Sequence, residues 1–186
     1  MVDLDKLEKQ IFDRIDRKPF WIALDGRCAS GKTTFAEEMR LDHGCVVIHM
    51  DDFYLPFEQR TEAQMSIPGG NIDFDRLLRE VLLPLKSGST VGYRPYRCHS
   101  GCFLEETLLA PQPIVVVEGS YSCHPSLRGL YDLCIFMTVS PEEQLLRIRG
   151  RDPALAESFQ KQWIPREESY FSACDVSAHC DIVWET

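Results

Sequence analysis

The chain has 186 residues, a net charge of −9 and 44% hydrophobic residues, the size and composition of one soluble domain with its own core. The negative balance excludes a general polyanion binder, so no nucleic-acid partner is expected, and no run of eighteen apolar residues is present to cross a membrane. Its eight cysteines come without an export signal, and several lie in apolar runs (Cys45, Cys134). They read as small buried hydrophobes in a reducing cytoplasm rather than as a disulfide framework.

Leu4, Leu7, Ile11, Phe12 and Ile15 recur at helical spacing, which predicts an amphipathic helix over Asp3 to Asp16. Pro19 stops it, and Phe20 to Leu24 reads as an apolar strand. The segment that follows, Gly26-Arg27-Cys28-Ala29-Ser30-Gly31-Lys32-Thr33, matches G-x-x-x-x-G-K-[ST] in full. Glycines let the backbone curl so that successive N–H groups point at one anion, and a helix starting near Lys32 adds its positive end. Gly26, Ala29, Ser30, Gly31, Lys32, Thr33 and Thr34 are therefore the candidate triphosphate ligands. Lys32 is placed to reach the β- and γ-phosphates, and the Thr33 hydroxyl to hold Mg²⁺.

The helix from Thr33 to Leu41 is closed by Gly44, and Cys45 to His49 forms the second strand. From Asp51 to Asn71 the periodicity fails at Pro56, Pro68, Gly69 and Gly70, which predicts a long functional loop at 53–72. Phe74, Leu77, Leu78, Val81 and Leu82 predict a helix ending before Pro84. Val91 to Tyr96 and Cys102 to Leu104 are expected to pair around His99-Ser100-Gly101 as a small flap, 91–105. Ile114 to Val117 is an unalternated apolar run, the pattern of a parallel strand buried on both faces. Leu133 to Val139 is the next strand. Ser140 and Pro141 are the N-cap and first residue of a helix reaching Arg149. Pro153 to Phe171 is expected to be helical with a break or kink at Pro165, and Cys180 to Trp184 to be the last strand. Alternating strands and helices imply a doubly wound, five-stranded parallel sheet with helices on both faces, plus a hairpin flap and a helical lid at 147–171, all in one domain.

In such sheets ligands bind beyond the carboxyl ends of the strands. Asp51 and Asp52 follow the second strand, where a carboxylate can orient an acceptor hydroxyl and take its proton. Glu118 ends the valine-rich strand, in position to hold Mg²⁺ with Thr33 and Asp51. Arg147, Arg149 and Arg151 cluster in an acidic chain. Their guanidinium groups suit phosphate oxygens, and they equally suit a helix C-terminus. Helical spacing lets Arg151 and only one of Arg147 and Arg149 face nucleotide. Asp73 can cap a helix or bind substrate hydroxyls. Tyr93 and Tyr96 can stack on a flat substrate or pack. Cys98, His99, Cys102, Cys123 and His124 match no zinc-site spacing.

The set GRCASGKT, MDDFYLP at 50–56, GGNIDFDRL at 69–77, VVVEGSYS at 115–122 and RGRD at 149–152 resembles the uridine kinase and phosphoribulokinase branch of P-loop kinases, over roughly Phe20 to Trp184. It is most similar to short bacterial uridine kinase-like proteins. The resemblance implies an ATP- and Mg²⁺-dependent kinase acting on a hydroxyl of a small metabolite, foremost a nucleoside such as uridine, with other hydroxylated metabolites or a low-turnover nucleotide switch as alternatives. It implies Asp51 as catalytic base, Lys32 and Thr33 as phosphate and Mg²⁺ ligands, Glu118 as the acid near metal and acceptor, Asp73 on ribose hydroxyls and Arg151 as a lid arginine on the triphosphate. Arg147 is a further expected nucleotide contact, and Asp52, Tyr54, Tyr93 and Tyr96 are further expected acceptor contacts. A homo-oligomer is compatible with it. The chain departs from the family's uridine kinases in having Arg147-Ile148-Arg149 instead of adjacent lid arginines, and in lacking a recognisable base-reading motif in YRPYRCHSGC.

Overall fold

The computed structural model describes residues 4–186. Its centre is a five-stranded, all-parallel sheet in the order β2-β7-β1-β8-β9. The strands are β1 (Phe20–Gly26), β2 (Val46–His49), β7 (Ile114–Glu118), β8 (Leu133–Thr138) and β9 (Ile182–Glu185). Side chains alternate between two cores, as a two-residue period requires. Phe20, Ile22, Leu24, Ile114, Val116, Leu133 and Ile135 pack on one side. Trp21, Ala23, Val115, Val117, Cys134 and Phe136 pack on the other. Both faces are covered, so the central strands tolerate no polar alternation. The chain leaves β1 toward one edge and β8 toward the other, which opens a crevice at their carboxyl ends.

The first helix, Leu4–Phe12, buries Leu7 and Ile11; the expected start at Asp3 lies outside the described residues. The phosphate-loop helix, Lys32–His43, ends on Gly44 at φ 65°, whose N–H reaches the Arg40 carbonyl as a left-handed C-terminal glycine should. Ser140 caps the helix Pro141–Arg151 by accepting from the Glu143 N–H, with Pro141 at its start. That helix runs two residues past the expected Arg149, so Arg151 is its last residue.

Four expectations need correction. The helix after Asp73 does not stop before Pro84. It continues as a widened turn over Leu77–Leu82 and then Leu83–Lys86. The segment at Pro165 repeats the device, with a widened turn Phe159–Trp163 leading into Ile164–Ala173. A proline removes a donor and pushes on the carbonyl four residues back, and a turn bonded five residues back accommodates both. The flap is also longer than 91–105. β3 (Val91–Tyr93) pairs antiparallel with β6 (Thr107–Leu109), and only the tip, β4 (Tyr96–Arg97) with β5 (Cys102–Phe103), follows the expected pairing. Finally, the long loop holds short turns, Met50–Phe53 and Phe57–Gln59, and a helical turn Glu62–Met65.

Candidate active site

β1 ends in Asp25 and Gly26, and both fix the loop that follows. Gly26 has φ 132°, and a Cβ there would lie 1.8 Å from the Met137 carbonyl oxygen of β8, so only glycine lets the two strands run this close. Asp25 is fully buried. It accepts from the N–H groups of Gly26 (2.7 Å), Tyr121 (3.2 Å) and Cys123 (2.8 Å) and from the Tyr170 hydroxyl (2.7 Å). One carboxylate thus joins the start of the phosphate loop, the segment after β7 and the lid helix. Burial raises it to about 6 against these donors. Sequence reasoning passed over Asp25 because a lone acid in an apolar strand carries no motif.

The loop then turns through Ala29 at φ 62° and Gly31 at φ 93°, which aims its backbone donors inward. Lys32 folds onto its own loop, donating to the carbonyls of Gly26 (2.8 Å) and Arg27 (2.7 Å). Ser30 is buried beneath it. Ala29, Gly31, Lys32, Thr33 and Thr34 line a groove of about 270 Å³ together with Arg147 and Arg151. Arg147 donates to the Ala29 carbonyl at 3.2 Å. Arg149 is exposed and lines neither this groove nor the neighbouring pocket.

The adjoining pocket, about 150 Å³, gathers Lys32, Thr33, Asp51, Tyr54, Glu118 and Arg151, residues drawn from four separate stretches of chain. Glu118 is buried, with its carboxylate 3.2–3.3 Å from the Thr33 hydroxyl and 2.5 Å from His49 Nδ1. The Glu118 contact raises His49 above its usual range despite partial burial. Asp51 opens into the pocket and accepts from the Tyr54 hydroxyl at 3.1 Å. The low-dielectric walls, then the Glu118 charge, push its carboxyl upward, the direction a base needs. Arg151 lies over the Phe159 ring of the lid, 5.5 Å from its centroid. Thr33, Glu118 and Asp51 offer the hard oxygen donors that suit Mg²⁺. Among the described residues no group of three His, Cys, Asp or Glu is arranged to hold a metal. A cation here therefore needs further oxygens from phosphate or water, as Mg²⁺ in nucleotide sites does.

The structure does not bring four predicted acceptor contacts into this pocket. Asp51 and Asp52 are neighbours on a tight turn, and their side chains part. Asp52 turns inward to accept from Tyr93 at 2.6 Å, with Arg97 at 3.6 Å. Tyr93 and Tyr96 are buried, and Tyr96 packs edge-on against Phe103. They fasten the flap to the turn rather than present a stacking face. Asp73 caps the next helix through the Arg76 N–H at 3.0 Å.

One residue of the pocket has no sequence signal. Glu167, on the lid helix and 7% exposed, accepts from the Cys28 N–H of the phosphate loop (3.1 Å) and from the Ser120 hydroxyl (2.6 Å). Its neighbour Glu168 pairs with Arg27 at 2.9 Å. A lid carboxylate therefore occupies one of the loop's anion donors.

The phosphoribulokinase/uridine kinase family model matches residues 21–155. Uridine-cytidine kinase B of Dictyostelium discoideum is 33% identical over 148 residues, 74% of this chain and 60% of that one. The chain thus matches less than two thirds of that relative's length. A uridine kinase of Ureaplasma parvum is 25% identical over 90% of this chain and 89% of its own. Among solved structures, a possible uridine kinase from Bacillus stearothermophilus superposes with a TM-score of 0.72 at 18% identity, covering 97% of this chain and 96% of that one. Phosphoribulokinase from Rhodobacter spheroides reaches 0.59 at 17% identity over 89% of this chain and 69% of its own.

Proposed function

Because the chain belongs to the phosphoribulokinase/uridine kinase family, we propose that it transfers the γ-phosphate of ATP, with Mg²⁺, to a hydroxyl of a small metabolite. The observation that carries this is the convergence of Lys32, Thr33, Asp51, Glu118 and Arg151 on one pocket. The groove lined by Ala29, Thr34 and Arg147 takes the nucleotide. The loop N–H groups and Lys32 hold its phosphates. Thr33 and Glu118 would hold Mg²⁺, which neutralises phosphate charge when bound. Asp51, steadied by Tyr54, orients the acceptor hydroxyl and receives its proton. Arg151 meets the charge developing on the transferred group, and the lid excludes water.

The names of the relatives supply a nucleoside such as uridine as one acceptor class. A second class, another hydroxylated metabolite such as a ribosyl compound or sugar acid, is favoured by the burial of Tyr93 and Tyr96, which withdraws both expected stacking rings from the acceptor. The test is an acceptor screen with mass detection of the phosphorylated product. Turnover that Lys32→Ala abolishes supports the assignment. ATP hydrolysis that no acceptor stimulates would instead identify a nucleotide switch.

A further inference from the structure

Behind the catalytic pocket lies a larger cavity of about 450 Å³, and Tyr121 lines both. Its other walls come from the long loop, through Ile67 and Asn71, and from the lid helix, through Arg166 and Ser169. The two chambers differ in their acids. Asp51, Glu118 and Glu167 line the catalytic pocket beside Lys32 and Arg151. No Asp or Glu lines the larger cavity, which instead carries Lys161 and Arg166, in a chain with a net charge of −9. Lys161 is engaged by Glu157 at 2.5 Å. Arg166 makes no ion pair among the described residues; it lies 5.7 Å from the Trp163 ring centroid and 4.0 Å from the Met65 sulfur. Asn71 shares the groove, is 4% exposed, and its side chain interacts with the Tyr121 hydroxyl. Arg166 is half-buried over a groove that holds no carboxylate, and a guanidinium without a paired anion offers charge-assisted hydrogen bonds to one. A ligand group with anionic oxygens, seated on Arg166, supplies that partner.

We propose that this cavity is an anion subsite for the acceptor: the substrate carries a phosphate or carboxylate bound by Arg166, while its free hydroxyl passes Tyr121 to reach Asp51. This rests on the kinase reading above and chooses between its two acceptor classes, in favour of a charged hydroxylated compound over a neutral nucleoside.

Two matched pairs test it, ribose 5-phosphate against ribose and D-glycerate against glycerol, with uridine as a further neutral ligand. Binding is measured by calorimetry on the full chain saturated with a non-hydrolysable ATP analogue, for wild type, Arg166→Gln and Arg166→Lys. At least one charged member should bind more tightly than its neutral partner, and the pair that shows this tells phosphate from carboxylate. Arg166→Gln should weaken that ligand by about tenfold or more. Arg166→Lys should restore part of the loss, and affinity for the ATP analogue should stay within about twofold in both variants. Equal binding within both pairs would overturn the proposal. So would an equal loss of ATP-analogue affinity, which would place Arg166 on the donor side. Phosphorylation of the same compounds is read separately by mass. Charge-dependent binding without any phosphorylated product would leave the subsite and remove the kinase reading. Turnover of uridine unaffected by Arg166→Gln, with no charge preference, would do the reverse.

Discussion

Glu167→Gln removes a charge from the phosphate loop while keeping the side chain's shape. This carboxylate holds the Cys28 N–H and the Ser120 hydroxyl, and triphosphate needs the same loop donors. Each bond to a charged acceptor is worth about 1.5–3 kcal/mol, against about 0.5–1.5 kcal/mol for a neutral one. Glutamine keeps an oxygen for one donor and can offer its amide to Ser120, and it relieves the repulsion that Glu167 exerts on Asp51. The net loss of lid-to-loop contact is then about 1–2 kcal/mol. Without nucleotide the variant should melt about 2–8 °C lower, given a few degrees per kcal/mol at this chain length. The same weakening removes an occupant that ATP must displace, so ATP-analogue affinity should rise roughly 5–30-fold. Saturating analogue should narrow the melting gap. Calorimetry and thermal melts on both proteins decide it. Weaker analogue binding by Glu167→Gln would refute the reasoning, because Glu167 would then be supporting the bound nucleotide rather than standing in its place.

Gly26→Ala should prevent or severely impair folding, since its Cβ would lie 1.8 Å from the Met137 oxygen, whereas Gly31→Ala meets nothing within 4 Å and bears only the strain of positive φ, about 1–3 kcal/mol; similar melting temperatures for the two would contradict this. Asp25, raised from 3.8 to about 6, binds its proton more tightly in the folded state. Its contribution is therefore fully present below about pH 4 and falls by roughly 3 kcal/mol as pH rises through 6. Urea unfolding at pH 4.5 and pH 7 should show wild type losing stability relative to Asp25→Asn at the higher pH, and a constant difference would refute the assignment. Truncating the flap anchor with Tyr93→Phe leaves the buried Asp52 carboxylate without its 2.6 Å donor. That should cost about 1–3 kcal/mol in unfolding free energy; a neutral result would show that Arg97 or water replaces the hydroxyl.

The elements around the candidate donor pocket were legible because local chemistry encodes them. The Gly26 to Thr33 spacing, the unalternated run Ile114–Val117 and the capping pair Ser140-Pro141 each act through neighbours within a few residues. Asp51 and Glu118 followed from one rule about strand ends. What sequence could not supply was which way adjacent side chains turn. Asp51 and Asp52 differ in surroundings because a tight turn sends one into the pocket and the other against Tyr93. Glu167 escaped notice for a different reason. Its partner Cys28 is 139 residues away, and an acid on a polar helix has no local mark. The flap register was set by tertiary packing of Val91 and Tyr93 in the main core, and the helices continued through Pro84 and Pro165 by widening a turn that propensity alone does not foresee.

In the proposed mechanism Asp51 takes the acceptor proton beside a phosphate-binding loop that works without it. Asp51→Asn, assayed with whichever acceptor the screen identifies, should lower kcat by about 10²–10⁴-fold, while ATP-analogue affinity stays within about threefold. A parallel loss of turnover and nucleotide binding would contradict the account and show that Asp51 shapes the nucleotide site rather than serving the acceptor.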